Sequence, residues 1–300
     1  MAEVPEKALM INFKGYPEST GQNAIGLVRK LNTLAEFYGT KIIVTPHPSD
    51  LRQVCDVAGN EGLDNVLVFS QDVELPKDEG KPNNITGKIT PEFLQRIGVA
   101  GVIINHSENR IEKPDGEADE GRIGLLTKAL RKRDLVSLVC AGRFIGKDKP
   151  EENKRLTMQE VEKLVRVANP DILAVEPPEM IGGDISVTTR PDLIEEFVEK
   201  VGRLNPRVKV AVGAGVKNKA DAEKAAELNA PRLLVASGVT TPKGKTQVEA
   251  AEELLQGLGY KKKQRLNTGL NLDDALRIIE AEEAGKKFRE SSKLIRKEKL

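Results

Sequence analysis

The 300-residue chain has no tryptophan, only 3% aromatic residues, two cysteines, two histidines and a net charge of +1. Each scarcity removes a class of protein. Cys55 and Cys140 lie singly in apolar surroundings, so no disulfide framework is implied and a reducing compartment suits the chain. Two histidines and two cysteines scattered along the sequence have no metal-ligand spacing, and the expectation is a protein without metal or cofactor. Near-zero net charge argues against a protein that binds nucleic acid over its whole surface, since such affinity rests on basic patches. The start "MAEVPEKALMINF" lacks the basic opening and long apolar stretch of a secretory signal, and no later run has the length of a membrane span. A cytoplasmic protein with no membrane partner is expected.

What the chain does have is a repeated alternation. Short apolar runs rich in β-branched residues recur at 8–13, 41–46, 65–70, 101–106, 135–140, 171–176, 208–213 and 232–237. Their near-continuous hydrophobicity marks strands buried on both faces, as in a parallel sheet. Between them, segments at 21–38, 50–59, 91–97, 121–133, 157–168, 191–203, 219–228 and 246–256 repeat with helical period. Thr90, Thr157 and Arg190 stand where these helices open. Eight strands alternating with eight helices predict an α/β chain folded as a (β/α)8 barrel over residues 1–257. The rival open doubly wound sheet lacks its Gly-x-Gly-x-x-Gly turn after any strand.

Residues 258–300 follow the eighth helix and read as a basic linker, a helix capped near Asn271 or Asp273, and a charged end. The pattern fits a helix lying on the barrel exterior or on a neighbouring subunit, with nucleic-acid binding the alternative.

In a barrel, side chains at the carboxyl ends of strands share one mouth. Strand 1 brings Asn12 and Lys14, strand 4 His106, strand 6 Glu176, and strands 7 and 8 the small-residue turns Gly213–Val216 and Ala236–Val239. Singly, each has an ordinary structural reading. Together they suit proton transfer beside a carbonyl in a small phosphorylated compound: a carboxylate base, an imidazole and an ammonium on the oxygen, and backbone N–H groups on the phosphate. No Gly-x-Ser-x-Gly elbow supports a serine hydrolase.

Five stretches, "INFKGYPESTGQNA" (11–24), "TGKITPEFLQRIGVAGVIINHSENR" (86–110), "VEPPEMIGG" (175–183), "VAVGAGV" (210–216) and "LLVASGV" (233–239), resemble in order the triosephosphate isomerase family in its compact archaeal form. The resemblance implies the TIM barrel, interconversion of glyceraldehyde 3-phosphate and dihydroxyacetone phosphate, and a homo-oligomer. It assigns Glu176 as base, His106 as neutral electrophile, Lys14 as cation with Asn12 beside it, and Glu108 as the acid behind the histidine. Ile181, Gly215, Ala236 and Ser237 fall at the family's phosphate contacts. These roles are the family's own, a standard case of a glutamate base and a neutral histidine working under a closing loop. On that analogy Pro177 and Pro178 stiffen the hinge of a lid.

Departures are as specific as the matches. Ile181-Gly182-Gly183-Asp184 stands where the family has Ile-Gly-Thr-Gly. A carboxylate about 5 Å from a phosphate, at an effective dielectric of about 20, repels it by roughly 3 kcal/mol, so Asp184 bears on anion affinity. The third loop reads Gln71-Asp72-Val73-Glu74 and Ile85-Thr86-Gly87 instead of Gln-His-x-Asp and His-Thr-Gly, and the loops after strands 4 and 5 are long. These differences keep two other functions open: a sugar-phosphate isomerase of shifted substrate, and a non-catalytic barrel whose basic tail holds a partner.

Overall fold

Eight strands, β1 (Ala8–Asn12), β2 (Ile42–Thr45), β3 (Val66–Ser70), β4 (Gly101–Ile104), β5 (Val136–Ala141), β6 (Ile172–Val175), β7 (Lys209–Gly213) and β8 (Arg232–Val235), pair in parallel in chain order. β8 returns to pair with β1, with Ile11 opposite Val235, so the sheet closes and has no edge. The computed structural model describes residues 2–76, 86–114, 116–180, 183, 185–266 and 269–297, with side chains to residue 285.

Closure sends alternate side chains inward and outward. Ala8 and Met10 of β1, Val136, Leu138 and Cys140 of β5, and Ile172 and Ala174 of β6 fill the barrel interior. Leu9, Ile11, Val139, Leu173 and Val175, between them, pack under the helices in a second and larger core. Both faces are dry, which is why the strands read as unbroken apolar runs.

The covering helices are α1 (Gln22–Tyr38), α2 (Leu51–Asn60), α3 (Pro91–Arg96), α4 (Glu120–Arg131), α5 (Pro150–Lys163), α6 (Pro191–Leu204) and α7 (Lys219–Glu227), then a short α8 (Ser237–Thr240) before α9 (Gln247–Gly257). Side-chain caps fix several starts: Thr90 Oγ1 accepts from the Phe93 N–H, Asp119 from Arg122, and Asn218 from Asp221. Thr246 and Glu249 form a reciprocal capping box on α9.

One helix start differs from the sequence expectation. α5 begins at Pro150, and Thr157 lies within it, its hydroxyl accepting the Arg143 N–H at 2.9 Å instead of capping the helix. Proline at N1 with Glu151 and Glu152 behind it opens the helix, although these first turns carry little apolar periodicity. Half of the long loop after β5 is therefore helix. α8 was also unanticipated, being a single turn after β8.

The tail runs back along α1. Asn271 Oδ1 accepts the Asp274 N–H at 2.9 Å and caps α10 (Leu272–Lys297), while Leu272 and Ala275 are buried in the outer core. Lys30 meets Glu280 at 3.2 Å, and Arg29 meets Glu283 at 3.8 Å. The basic linker is anchored as well: Lys263 N–H donates to Phe37 O at 2.9 Å, and Lys262 pairs with Glu252 at 2.9 Å. None of these contacts reaches the barrel mouth. Deleting residues 272–300 should therefore leave catalytic constants within about twofold, while loss of Leu272 and Ala275 burial lowers the thermal midpoint by roughly 5 °C, read by calorimetry beside the activity assay.

Candidate active site

The alternation that fills the interior also aims the polar groups. On β6 the inward series Ile172, Ala174 continues to Glu176, and on β1 the series Ala8, Met10 continues to Asn12. Glu176 is 6% exposed, His106 7% and Asn12 6%. The sequence thus delivers three polar side chains to the same dry rim at the top of the barrel.

Lys14 sits two residues past Asn12 with a left-handed backbone, φ 47°, and its N–H donates to Asn12 Oδ1 at 3.0 Å. That bond compensates a conformation L-residues seldom adopt, and assigns Asn12 the task of shaping the β1 turn. Lys14 Nζ lies 2.7 Å from Glu108 Oε1. After β4, Asn105 also has positive φ, 61°; its side chain accepts the Ile111 N–H and donates to Cys140 O, both at 2.9 Å. His106 is thereby fixed in a turn anchored to the neighbouring strand.

The histidine's tautomer follows from its partners. His106 Nδ1 accepts the backbone N–H of Glu108 at 3.2 Å, so Nδ1 presents a lone pair and a neutral ring carries its proton on Nε2. Nε2 faces Glu176 Oε2 at 3.7 Å, too long for a direct hydrogen bond. Glu108 was expected as the acid behind the histidine. Its carboxylate, 59% exposed, instead binds Lys14 at 2.7 Å, with the other oxygen 3.8 Å from Nδ1. The group that orients His106 is a main-chain amide.

Glu176 is seated by its neighbours. Its N–H donates to Ala141 O at 2.9 Å, and its carboxylate occupies the space a Cβ on Gly213 would fill. Oε2 is buried and has no hydrogen-bond partner among the described residues. Cys140, inward on the adjacent strand, lies beside it; burial first, then the Glu176 charge, pushes that thiol well above its ordinary value. Behind this segment Arg110 donates to Gly142 O at 2.9 Å and to Glu160 Oε2 at 2.8 Å, and Gly142 N–H donates to Glu160 Oε1 at 3.3 Å.

One pocket of about 470 Å³ joins these groups. Asn12, Lys14, His106, Glu176, Gly215, Ala236 and Ser237 all line it. Gly215 adopts φ 74°, and a Cβ there would overlap the Ile185 carbonyl, so glycine lets the β7 turn lie against the segment after residue 184. Ile181 and Asp184, singled out from the sequence, lie outside the described residues, as does Ile85. The pocket adds Tyr16 and Lys217, which the sequence reading did not select. A tyrosine or lysine just past a strand-end turn has no spacing that separates it from a solvated side chain.

The arrangement is a carboxylate oxygen without a hydrogen-bond partner among the described residues, an imidazole with Nε2 turned toward it, and an ammonium, around a small cavity. It suits removal of a proton from carbon while charge collects on an adjacent oxygen. Among the described residues, no three His, Cys, Asp or Glu side chains gather as a metal-ligand set.

Comparison with known proteins agrees with this geometry. The model of the family described as triosephosphate isomerase matches residues 7–251. A triosephosphate isomerase of Methanothermus fervidus is 36% identical over 248 residues, covering 82% of this chain and 96% of its own. One from Caldivirga maquilingensis is 36% identical over 236 residues, covering 78% and 91%. One from Methanopyrus kandleri is 32% identical over 262 residues, covering 86% and 100%.

The thiols provide a check on the packing. Burial pushes Cys55 up to about 12, and Cys140 is also held protonated. Native protein at pH 8 should therefore release almost no thionitrobenzoate from a disulfide reagent, and both thiols should react after unfolding in guanidinium. Rapid reaction of Cys140 in the native state would contradict the packing around Glu176.

Proposed function

The chain belongs to the triosephosphate isomerase family, and from that premise we propose how its mouth interconverts D-glyceraldehyde 3-phosphate and dihydroxyacetone phosphate. The observation carrying the reading is the buried Glu176 carboxylate, its Oε2 without a partner among the described residues and 3.7 Å from a histidine whose neutral form presents an N–H.

Glu176 takes a proton from the carbon beside the substrate carbonyl. The electron pair moves onto the carbonyl oxygen, making an enediolate, and His106 Nε2–H and Lys14 Nζ stabilise the charge there. A proton passes from the hydroxyl oxygen to the former carbonyl oxygen by way of His106 Nε2, and Glu176 returns its own proton to the neighbouring carbon, so carbonyl and hydroxyl exchange places with every proton accounted for. Asn12 holds Lys14 in its left-handed turn, and Glu108 restrains the ammonium. Backbone groups at Gly215, Ala236 and Ser237, with Ile181 on the family analogy, receive the phosphate. On the family analogy the stretch that follows Pro177 and Pro178 serves as the lid that excludes water.

The reaction is a step of glycolysis and gluconeogenesis, and the cytoplasmic location expected of it rests on the same kinship. Among the described residues, no helix is long and apolar enough to cross a membrane. A homo-oligomer is favoured by the exposed Leu125 and Val167, 55% and 53% accessible on adjoining elements, where Gly124 lies directly against the Val167 carbonyl. Light scattering should return a whole multiple of the chain mass.

The purified protein should interconvert the two triose phosphates. Glu176→Gln should lower kcat roughly a thousandfold or more and still bind 2-phosphoglycolate, because it removes the base and little else. Gly213→Ala should lower kcat about a hundredfold with KM nearly unchanged, since the new methyl displaces the carboxylate. Absence of turnover in a folded wild-type sample would overturn the assignment.

A further inference from the structure

Two charged residues beside the mouth have no part in the chemistry proposed above. Arg110 lies four residues past His106 in the turn after β4, and Glu160 lies on α5. Their side chains are only 13% and 5% exposed, so the pair is not a solvated surface bridge, and neither residue lines the catalytic pocket. Arg110 Nη2 donates to Glu160 Oε2 at 2.8 Å, and its Nε donates to Glu112 Oε1 at 2.6 Å. Both partners then close on a single residue. Arg110 Nη1 donates to Gly142 O at 2.9 Å, and the Gly142 N–H donates to Glu160 Oε1 at 3.3 Å.

Gly142 follows β5 directly, at the place where the catalytic strand end rests. Ala141 O accepts the Glu176 N–H at 2.9 Å, and a Cβ on Gly142 would overlap the Glu176 carbonyl and approach Pro178 Cδ to 3.1 Å. Glu176 is thus held at its N–H by one residue and bounded at its carbonyl by the next. The histidine is tied to the same strand end from both sides: Asn105 Nδ2 donates to Cys140 O at 2.9 Å before it, and Arg110 reaches Gly142 after it. A shift of Gly142 therefore moves Glu176 against His106, whose Nε2 faces Glu176 Oε2 at 3.7 Å. An ion pair withdrawn from water adds little net stability. Bonded to both the N–H and the carbonyl of one residue, it fixes where that residue sits, and a reacting group misplaced by about 1 Å loses on the order of a hundredfold in rate.

We propose that Arg110 and Glu160 are positioning residues, which act through Gly142 to fix the Glu176 carboxylate at its working separation from His106. This rests on the triose phosphate reading above. It gives α5, none of whose residues lines the cavity, a share in the rate of the chemical step.

Arg110→Met combined with Glu160→Leu exchanges the pair for apolar side chains, a change that commonly leaves stability intact, and removes both side-chain bonds to Gly142. Relative to wild type, the double variant should keep its thermal midpoint within about 5 °C. Its KM for D-glyceraldehyde 3-phosphate and its inhibition constant for inorganic phosphate should stay within about threefold, while kcat falls roughly 30-fold. Glu160→Gln keeps an acceptor for the Gly142 N–H and should hold kcat between about a half and a fifth of the wild-type value, with KM unchanged. Wild-type kcat in the folded double variant would overturn the proposal, as would equal losses in kcat and in phosphate binding, which mark a merely structural role. If the double variant does not fold, Glu160→Gln decides: the stated fall in kcat at constant KM supports the assignment, and wild-type kcat overturns it. If wild type shows no turnover, the catalytic reading fails separately. The crystal structure of the folded variant then decides on the pair: a Glu176 carboxylate displaced from its seat against Gly213 supports positioning, and an unmoved carboxylate overturns it.

Discussion

The mouth of this barrel depends on how one carboxylate is kept dry. Removing a charged group from water costs several kcal/mol unless partners compensate it. At Glu176 the compensation is deliberately incomplete. The backbone is fixed to Ala141, Gly213 yields space, and the Cys140 thiol lies alongside, yet Oε2 has no hydrogen-bond partner among the described residues. A cation held against that oxygen would satisfy it and compete with the reacting carbon's proton. Lys14 is drawn to Glu108 at 2.7 Å, and His106, engaged at Nδ1, faces the carboxylate with an N–H from 3.7 Å, leaving a gap for a substrate oxygen.

The surroundings of this group are built to hold a position more than to add stability. A buried ion pair contributes little net free energy once desolvation is counted. Arg110 and Glu160 illustrate this: burial outweighs the arginine's pull and raises the Glu160 carboxyl above its ordinary value. What the pair does is engage both the N–H and the carbonyl of Gly142. A Cβ on Gly142 would overlap the Glu176 carbonyl, so the residue clamped by the ion pair is the one on which the catalytic segment rests. α5, by starting at Pro150 and carrying Glu160 to Gly142, turns a long surface insertion into the support of the Glu176 segment.

Much of this was legible before any coordinates. Barrel strands are apolar on both faces, so they stand out as uninterrupted runs, and each reactive side chain follows its run by the short interval that carries it to the rim. Asn12, His106 and Glu176 were placed at the rim that way, which is where the structure has them. The start of α5 was hidden because Glu151 through Arg155 form a polar first turn and a half, and a capping threonine farther on offered a plausible false beginning. At Glu108 the sequence pointed to the side chain, which lies 3.8 Å from His106 Nδ1; the amide of the same residue also donates to that nitrogen, and a main-chain contact leaves no mark on residue type. Gly213 showed as a small residue in a turn, but its purpose appears only when the adjacent strand supplies Glu176. Asp184, the most conspicuous departure in the sequence, is chemically defined and lies outside the described structure.

Charge organisation links the two halves of the cavity. On one side, Lys14 is paired with Glu108 and His106 Nδ1 is engaged by an amide, and Glu176 Oε2 has no hydrogen-bond partner among the described residues. Beside the β7 turn, the Asp221 carboxylate accepts from two donors, the Thr188 hydroxyl and the Lys217 amide, while its own N–H donates to Asn218 Oδ1 at the start of α7. The Val187 N–H donates to Ala214 O at 3.0 Å beside them, so the exit of the segment following β6 is sewn to the turn following β7. Two consecutive strands thus share one bonded loop cluster. The turn after β7 and residues Val187 and Thr188 are therefore fixed to one another by main-chain and side-chain bonds, beside the strand ends where Gly213 makes room for Glu176.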